Sequence, residues 1–147
     1  MRAELVAYGS EEWEQARKIR HALFFEPYGL PVSILDDQYE KTSYHVVVKS
    51  EGVVTAYGRM HIESDVGHVS QMVVAPPFQG QGLGQLVLSA LTALASEKGT
   101  ASVVLNARSS AVSFYAKAGF KKVDGTFFSA TTGVPHVRME LHFGRTL

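Results

Sequence analysis

Two rhythms of apolar and polar residues run along this chain, and the switches between them mark its elements. Glu4–Tyr8 reads as a short first strand. Ser10 can cap a helix over Glu11–Phe24, since its hydroxyl satisfies first-turn amides and Glu11 and Glu12 suit the helix dipole there. Trp13, Ala16, Ile19 and Leu23 recur at helical spacing as its apolar stripe. A turn-rich passage, Glu26–Pro31, leads to a short helix around Ile34–Glu40. Tyr44–Lys49 and Val53–Ile62 are rich in β-branched residues around Ser50-Glu51-Gly52 and predict a hairpin. Gly67–Ala75 predicts another strand, on which His68, Ser70 and Met72 share one face by period two. Pro76-Pro77 ends it, because proline cannot donate to a ladder.

Past the glycines at 80–84 the rhythm turns helical. Leu83, Leu86, Val87, Ala90, Leu91, Leu94 and Ala95 fall on one face of a helix reaching about Lys98, with Gly99 as its stop. Ser102–Leu105 reads as a short buried strand and Ser110–Ala118 as a helix stopped at Gly119. Two last strands, Phe120–Ser129 and Pro135–Phe143, flank the turn Thr131-Thr132-Gly133. The order β-α-α-β-β-β-α-β-α-β-β predicts an α/β fold, a mixed sheet with helices on both faces. No repeat, linker or low-complexity tract interrupts it, so residues 1–147 are expected to form one domain.

Composition narrows the chemistry. Fourteen basic and fourteen acidic residues cancel, and no basic cluster exceeds Lys121-Lys122, so no nucleic-acid partner is expected. The absence of cysteine excludes disulfides, thiolate metal sites and a cysteine nucleophile. No apolar run is long enough to span a bilayer, and the first fifteen residues lack a signal-type apolar stretch, so the expectation is a cytoplasmic protein without a membrane partner. The six histidines show no compact pairing, and His136 and His142, even on one strand, would stand about 20 Å apart. No metal is expected. Exposed edge strands leave a homodimer open.

The chemically informative stretch is Gln79-Gly80-Gln81-Gly82-Leu83-Gly84, between a strand and an amphipathic helix. A helix N-terminus carries unpartnered N–H groups and the positive end of the dipole, which together attract an anion. Glycines let the backbone approach a bulky pyrophosphate. A nucleoside triphosphate is rejected because the loop has no lysine; the next is Lys98. A dinucleotide fingerprint fails because Gln85 stands where its third glycine belongs. By itself such a loop can also be a plain structural turn.

Gln79-x-x-Gly82-x-Gly84 after Val73-Val74-Ala75-Pro76 resembles the acetyl-CoA motif of the GCN5-related N-acetyltransferase (GNAT) superfamily. Ala111-Val112-Ser113-Phe114-Tyr115-Ala116-Lys117-Ala118-Gly119-Phe120 is similar to that superfamily's Ala-x-x-x-Tyr-x-Lys-x-Gly-Phe segment. A narrower likeness to the ElaA/YjcF-type branch spans nearly the whole chain. It rests on Arg20, Leu23-Phe24, Gly29-Leu30-Pro31, Asp36/Asp37, His45, Gly58-Arg59-Met60 and Gly133-Val134-Pro135-His136. The resemblance implies a mostly antiparallel sheet of six to seven strands with helices on both faces. It also implies acetyl-CoA as cosubstrate and acetyl transfer to a small-molecule or peptide amine. It assigns pantetheine contacts to the backbone of Met72, Val73 and Val74, and pyrophosphate contacts to the amides of Gln79, Gly80, Gln81, Gly82, Leu83 and Gly84. The superfamily often has asparagine seven residues before the tyrosine; here Arg108 stands there, with Asn106 nearby. Arg108, Asn106 and Lys117 are thus candidates for cofactor contacts, or ordinary exposed charges and polar groups. An acidic residue usual before Gly-Val-Pro-His is replaced by Ala130, Thr131 and Thr132.

Direct acyl transfer needs a neutral amine, and deprotonating a lysine-like amine of pKa 10.4 at pH 7 costs about 4.6 kcal/mol. A base or a water chain must take that proton. His136, His68 and Glu63 are candidates for the acceptor side, each with an ordinary structural alternative. Tyr115 is the expected partner of the leaving thiolate; from periodicity alone it would be a core tyrosine. Phe24-Phe25 and Phe127-Phe128 could line an acceptor pocket or simply fill the core. The same cradle would also serve a non-catalytic acyl-CoA-binding sensor. The acceptor itself is not legible.

Overall fold

The computed structural model describes residues 1–144. Seven strands form one sheet in the order β1-β2-β3-β4-β5-β7-β6. In chain order these are β1 (Ala3–Val6), β2 (Tyr44–Ser50), β3 (Val53–Glu63), β4 (Val66–Val74), β5 (Ser102–Arg108), β6 (Lys121–Phe128) and β7 (Pro135–His142). Every neighbouring pair is antiparallel except β4–β5. The helices are α1 (Glu11–Arg20), α2 (Leu83–Glu97) and α3 (Val112–Lys117). The expected mixed, mostly antiparallel sheet is what forms.

Local chemistry explains the elements. Ser10 is extended and its Oγ accepts from the Trp13 N–H at 3.1 Å, so α1 starts where a capping serine precedes a glutamate-rich turn. The helix does not run regularly to Phe24. At His21–Phe25 it widens into a π-type turn and then closes on Gly29, whose left-handed φ of 73° a glycine adopts freely. The short helix expected around Ile34–Glu40 is one turn at Val32–Leu35, followed by turns. Both strand reversals Glu51-Gly52 and Ser64-Asp65 have positive φ at each central residue, the geometry that suits two-residue hairpins. β5 is longer than Ser102–Leu105 suggests: it runs on to Arg108, because Asn106 and Arg108 remain paired with β7. Arg108 therefore belongs to a strand and not to a helix surface.

Two apolar layers hold the sheet. On one face Val46, Val48, Ala56, Met60, Val69 and Val103 meet Leu83, Val87, Leu88, Leu91 and Ala95 of α2, and Tyr115 and Phe120 join them. On the other, Val47, Val54, Tyr57 and Val73 meet Ala16 of α1, with Ile19, Leu23 and Phe24 beside it. The expected stripe of α1 is thus the packed one, but Arg20, on the same helix, is also fully buried.

That burial is possible because Arg20 sits in an ion network. The Glu40 carboxylate accepts from the two terminal Arg20 guanidinium nitrogens (3.0 and 2.8 Å), from Arg59 (2.6 Å) and from the Trp13 indole N–H (2.7 Å). Arg59 also donates twice to Asp37. Burial raises the Glu40 pKa, but Arg20, Trp13 and Arg59 outweigh it and hold it at about 2. Next to it, His45 Nε2 donates to the Glu40 carbonyl and its Nδ1 accepts from the Tyr57 hydroxyl at 2.6 Å, which fixes a neutral tautomer. Burial pushes the His45 pKa down, consistent with that state.

Candidate active site

β3 and β4 pair from Glu63↔Val66 to Arg59↔Ser70 and again from Tyr57↔Val73 to Ala56↔Val74. Between these stretches the single residue Gly58 faces both Gln71 and Met72, so β4 carries a bulge. Gln71 adopts φ 60°, an uncommon conformation for a residue with a side chain. The bulge shifts the alternation by one. Ser70 stays on the α1 face, where its Oγ accepts from Arg59 Nε at 2.9 Å. Met72 turns to the α2 face: a Cβ built on Gly58 would stand 2.5 Å from its sulfur and 2.7 Å from Val87. The shared face expected for His68, Ser70 and Met72 is therefore broken at Met72.

β4 pairs with β5 over only Val66–Val69 and Ser102–Leu105. Beyond those four pairs the strands part and a cleft of about 300 Å³ opens between them. Ser70, Gln71 and Met72 line one wall, and Leu105, Asn106 and Arg108 the other. Tyr115 of α3, Phe24 and Phe25 of the π-type turn, and Thr131, Thr132 and His136 of the last hairpin complete it.

Each lining group has a distinct state. Tyr115 is 8 % exposed, and burial alone pushes its phenol up to about 12. Phe114 and Phe120 hold the ring by edge contacts. His136 donates from Nδ1 to its own hairpin's Val134 carbonyl at 2.8 Å, leaving a lone pair on Nε2 in the neutral ring. The Arg108 guanidinium lies 4.9 Å above the Phe24 ring, joining opposite walls. Gln71 keeps Oε1 out of solvent without a hydrogen bond. Asn106 is exposed on the β5 wall.

The glycine loop lies at the start of α2. Gly80 and Gly82 have φ of 80° and 78°, and nothing lies within 4 Å of where a Cβ would stand on either. Their surface is bare backbone before the free first-turn amides of a fifteen-residue helix. Leu83 is buried and anchors the loop. Gly84 packs so closely that a Cβ would come 3.3 Å from Phe114 of α3. The Gln79 side-chain amide donates to the Val74 carbonyl at 3.1 Å, tying the loop to the end of β4. Gln81 is exposed, as is Lys117 at the last turn of α3, outside the cleft lining.

Tyr115, Met72, Asn106, Arg108 and His136 thus meet around one cleft, with Phe24 and Phe25. His68 and Glu63 do not line it. They face a shallow depression with Arg138 and Glu140 on the far side of the β4–β5 contact. The expectation that no two histidines pair is overturned there: His61 and His68 are cross-strand neighbours with rings stacked 4.6 Å apart. Gln71 is not legible from sequence as a lining residue, since no residue pattern marks a bulge at a glutamine.

This arrangement has close counterparts. A family model described as acetyltransferase (GNAT) domain matches residues 26–143. YjcF of Bacillus subtilis (strain 168), described as an uncharacterized N-acetyltransferase, is 27 % identical over 135 residues, 92 % of this chain and 96 % of that one. The structure of Escherichia coli ElaA superposes with a TM-score of 0.79 at 20 % identity, over 94 % of this chain and 97 % of ElaA. An aminoglycoside 6'-N-acetyltransferase solved with coenzyme A superposes at 0.81 with 12 % identity, over 100 % and 99 % of the two chains. With the two motifs and the parted strands, the match over most of its length makes this chain a member of the GNAT acetyltransferase domain family.

Proposed function

We propose that the protein transfers the acetyl group of acetyl-CoA to a primary amine by direct attack in a ternary complex. The observation that carries this reading is the gap beyond Val69 and Leu105, which leaves β4 unpaired toward β5 beside a glycine-rich helix start. An extended pantetheine arm can take the missing strand's place and hydrogen-bond the backbone of Met72, Val73 and Val74. Its pyrophosphate then meets the amides from Gln79 to Gly84. Asn106, Arg108 and Lys117 are assigned to the cofactor's outer contacts.

In the reaction the amine nitrogen attacks the thioester carbonyl carbon and the C–S bond breaks. Tyr115 meets the departing sulfur. A phenol at about 12 facing a thiol near 8.5 makes full proton transfer uphill by roughly 5 kcal/mol, so Tyr115 donates a strong hydrogen bond and keeps its proton. The proton lost by the amine leaves through His136 Nε2 or through water. Phe24 and Phe25 flank the acceptor.

Calorimetric titration with acetyl-CoA, beside ADP and NAD, followed by free-thiol release across a panel of amines, tests this. Selective binding with thiol release that depends on the amine is the expected result. Selective binding with no turnover on any amine would support a non-catalytic acyl-CoA sensor instead, and no binding to folded protein would overturn the site.

A further inference from the structure

The Ser64-Asp65 reversal sets His61 opposite His68, and Glu63 lies two residues on from His61 on the same strand. One donor atom from each of these three residues lies within 4.8 Å of the other two. The geometry points to a binding site for one divalent transition-metal ion, held by His61, Glu63 and His68 at the closed end of the β3–β4 hairpin.

The donor set fits that ion class. Two imidazoles and a carboxylate are ligands of zinc and of the metals that imidazole suits. An ion bound at about 2.1 Å to all three needs its donors roughly 3–3.5 Å apart, so they must close by about 1 Å. Glu63, 62 % exposed in its side chain, is free to supply most of that movement; His61 Nε2 now faces its carboxylate at 4.0 Å, beyond hydrogen-bond reach. The His61 ring is already fixed. It is sandwiched between Tyr39, at 3.8 Å and 3°, and His68, at 4.6 Å and 4°. Its Nδ1 is buried and has no hydrogen-bond partner, so hydrogen bonding does not account for the ring's placement. Ligation requires His68 to tilt out of the parallel stack.

Imidazole ligates a cation through the lone pair of a ring nitrogen, and each of the two rings brings one such donor to the cluster. Arg138 opposes a cation here, but Glu140 pairs with it at 3.7 Å and Glu63 adds a carboxylate. With three protein ligands at a surface the ion keeps open positions for water. The site stands apart from the acetyl-transfer cleft and does not depend on that function.

The probe is ZnCl₂, titrated calorimetrically into the tag-free full chain at pH 7.5, with Co²⁺ absorption as a second readout. One equivalent is expected to bind. His68→Ala is expected to weaken it by more than about tenfold, since even outer-shell changes cost about 10–100-fold in metal affinity. Glu63→Gln, at an exposed carboxylate, is expected to weaken it while leaving the circular dichroism spectrum unchanged. His142→Ala is expected to leave affinity unaltered. No saturable Zn²⁺ uptake by the folded chain, or uptake that both His68→Ala and Glu63→Gln leave unchanged, overturns the site.

Discussion

A buried phenol is a good hydrogen-bond donor and a poor acid, and Tyr115 is such a phenol. If the proposed reaction holds, Tyr115→Phe removes a bond to a developing anion, worth about 1.5–3 kcal/mol, and kcat is expected to fall roughly ten- to a hundredfold. The Kd for acetyl-CoA should barely move; an unchanged kcat in steady-state assays would take Tyr115 out of the mechanism. Because its pKa is raised to about 12, no break in the pH–rate profile below that value should belong to it. Glu40 behaves oppositely. Its lowered pKa means that it stabilises the fold fully above the ordinary carboxylate range, and that this contribution is lost as pH falls through about 2. Glu40→Gln leaves two buried guanidinium groups short of charge and is expected to cost about 3–5 kcal/mol at pH 7. Urea midpoints at pH 7 and pH 3 check both points: the wild type should lose more stability than the variant on acidification. Arg20, Asp37, His45 and Arg59 stand out in the sequence as a pattern, but nothing there reveals that Arg20, His45 and Arg59 converge on Glu40, with Asp37 joined through Arg59. Ion pairing across 20 residues is a property of the fold and not of spacing.

At the scale of elements, legibility followed periodicity. α2 reads cleanly because seven apolar residues keep one face and all of them face the sheet. α1 and β4 read less well, because each departs from its period at a site-forming place. The π-type turn at His21–Phe25 carries Phe24 and Phe25 to the cleft, and the bulge at Gln71 turns Met72 to the other side of the sheet. Gly58 is the counterpart of that bulge. Gly58→Ala would push a methyl group against Met72 and Val87, and such overpacking is expected to cost about 1–3 kcal/mol. The displaced Met72 should also weaken acetyl-CoA binding, which calorimetry would detect; full affinity in a destabilised Gly58→Ala protein would detach the bulge from the cofactor site. Gly82→Asp probes the helix start differently. Its side chain meets open space, but at φ 78° any side chain is strained, so Gly82→Ala is the control, and the further drop in acetyl-CoA affinity with aspartate is the carboxylate's repulsion of phosphate.

Across the whole molecule, the sheet is two antiparallel halves, β1–β4 and β5–β7, joined by one parallel contact. That division is only partly visible in the sequence: the β2–β3 hairpin is legible from its turn, but neither the place of β7 between β5 and β6 nor the length of a ladder is. A cosubstrate that bridges the halves binds the folded state alone. Acetyl-CoA at a hundred times its Kd should therefore add about 2.7 kcal/mol and raise Tm by roughly 5–10 °C in differential scanning fluorimetry. An unshifted Tm at saturation would exclude a ligand that spans the gap.

The four-pair ladder between β4 and β5 also has a consequence for motion. A sheet opens most readily where few rungs must break, and with as few pairs as join the edge strand β1 to β2, one such line here runs through the middle of the fold. Amide hydrogen exchange should find the cleft-facing groups of Met72–Val74 exchanging through small local openings, while their β3-paired neighbours exchange far more slowly. A thin seam of the protein then coincides with the place where a ligand would enter, so the empty state is expected to breathe at its own docking line and a bound ligand to stitch it shut.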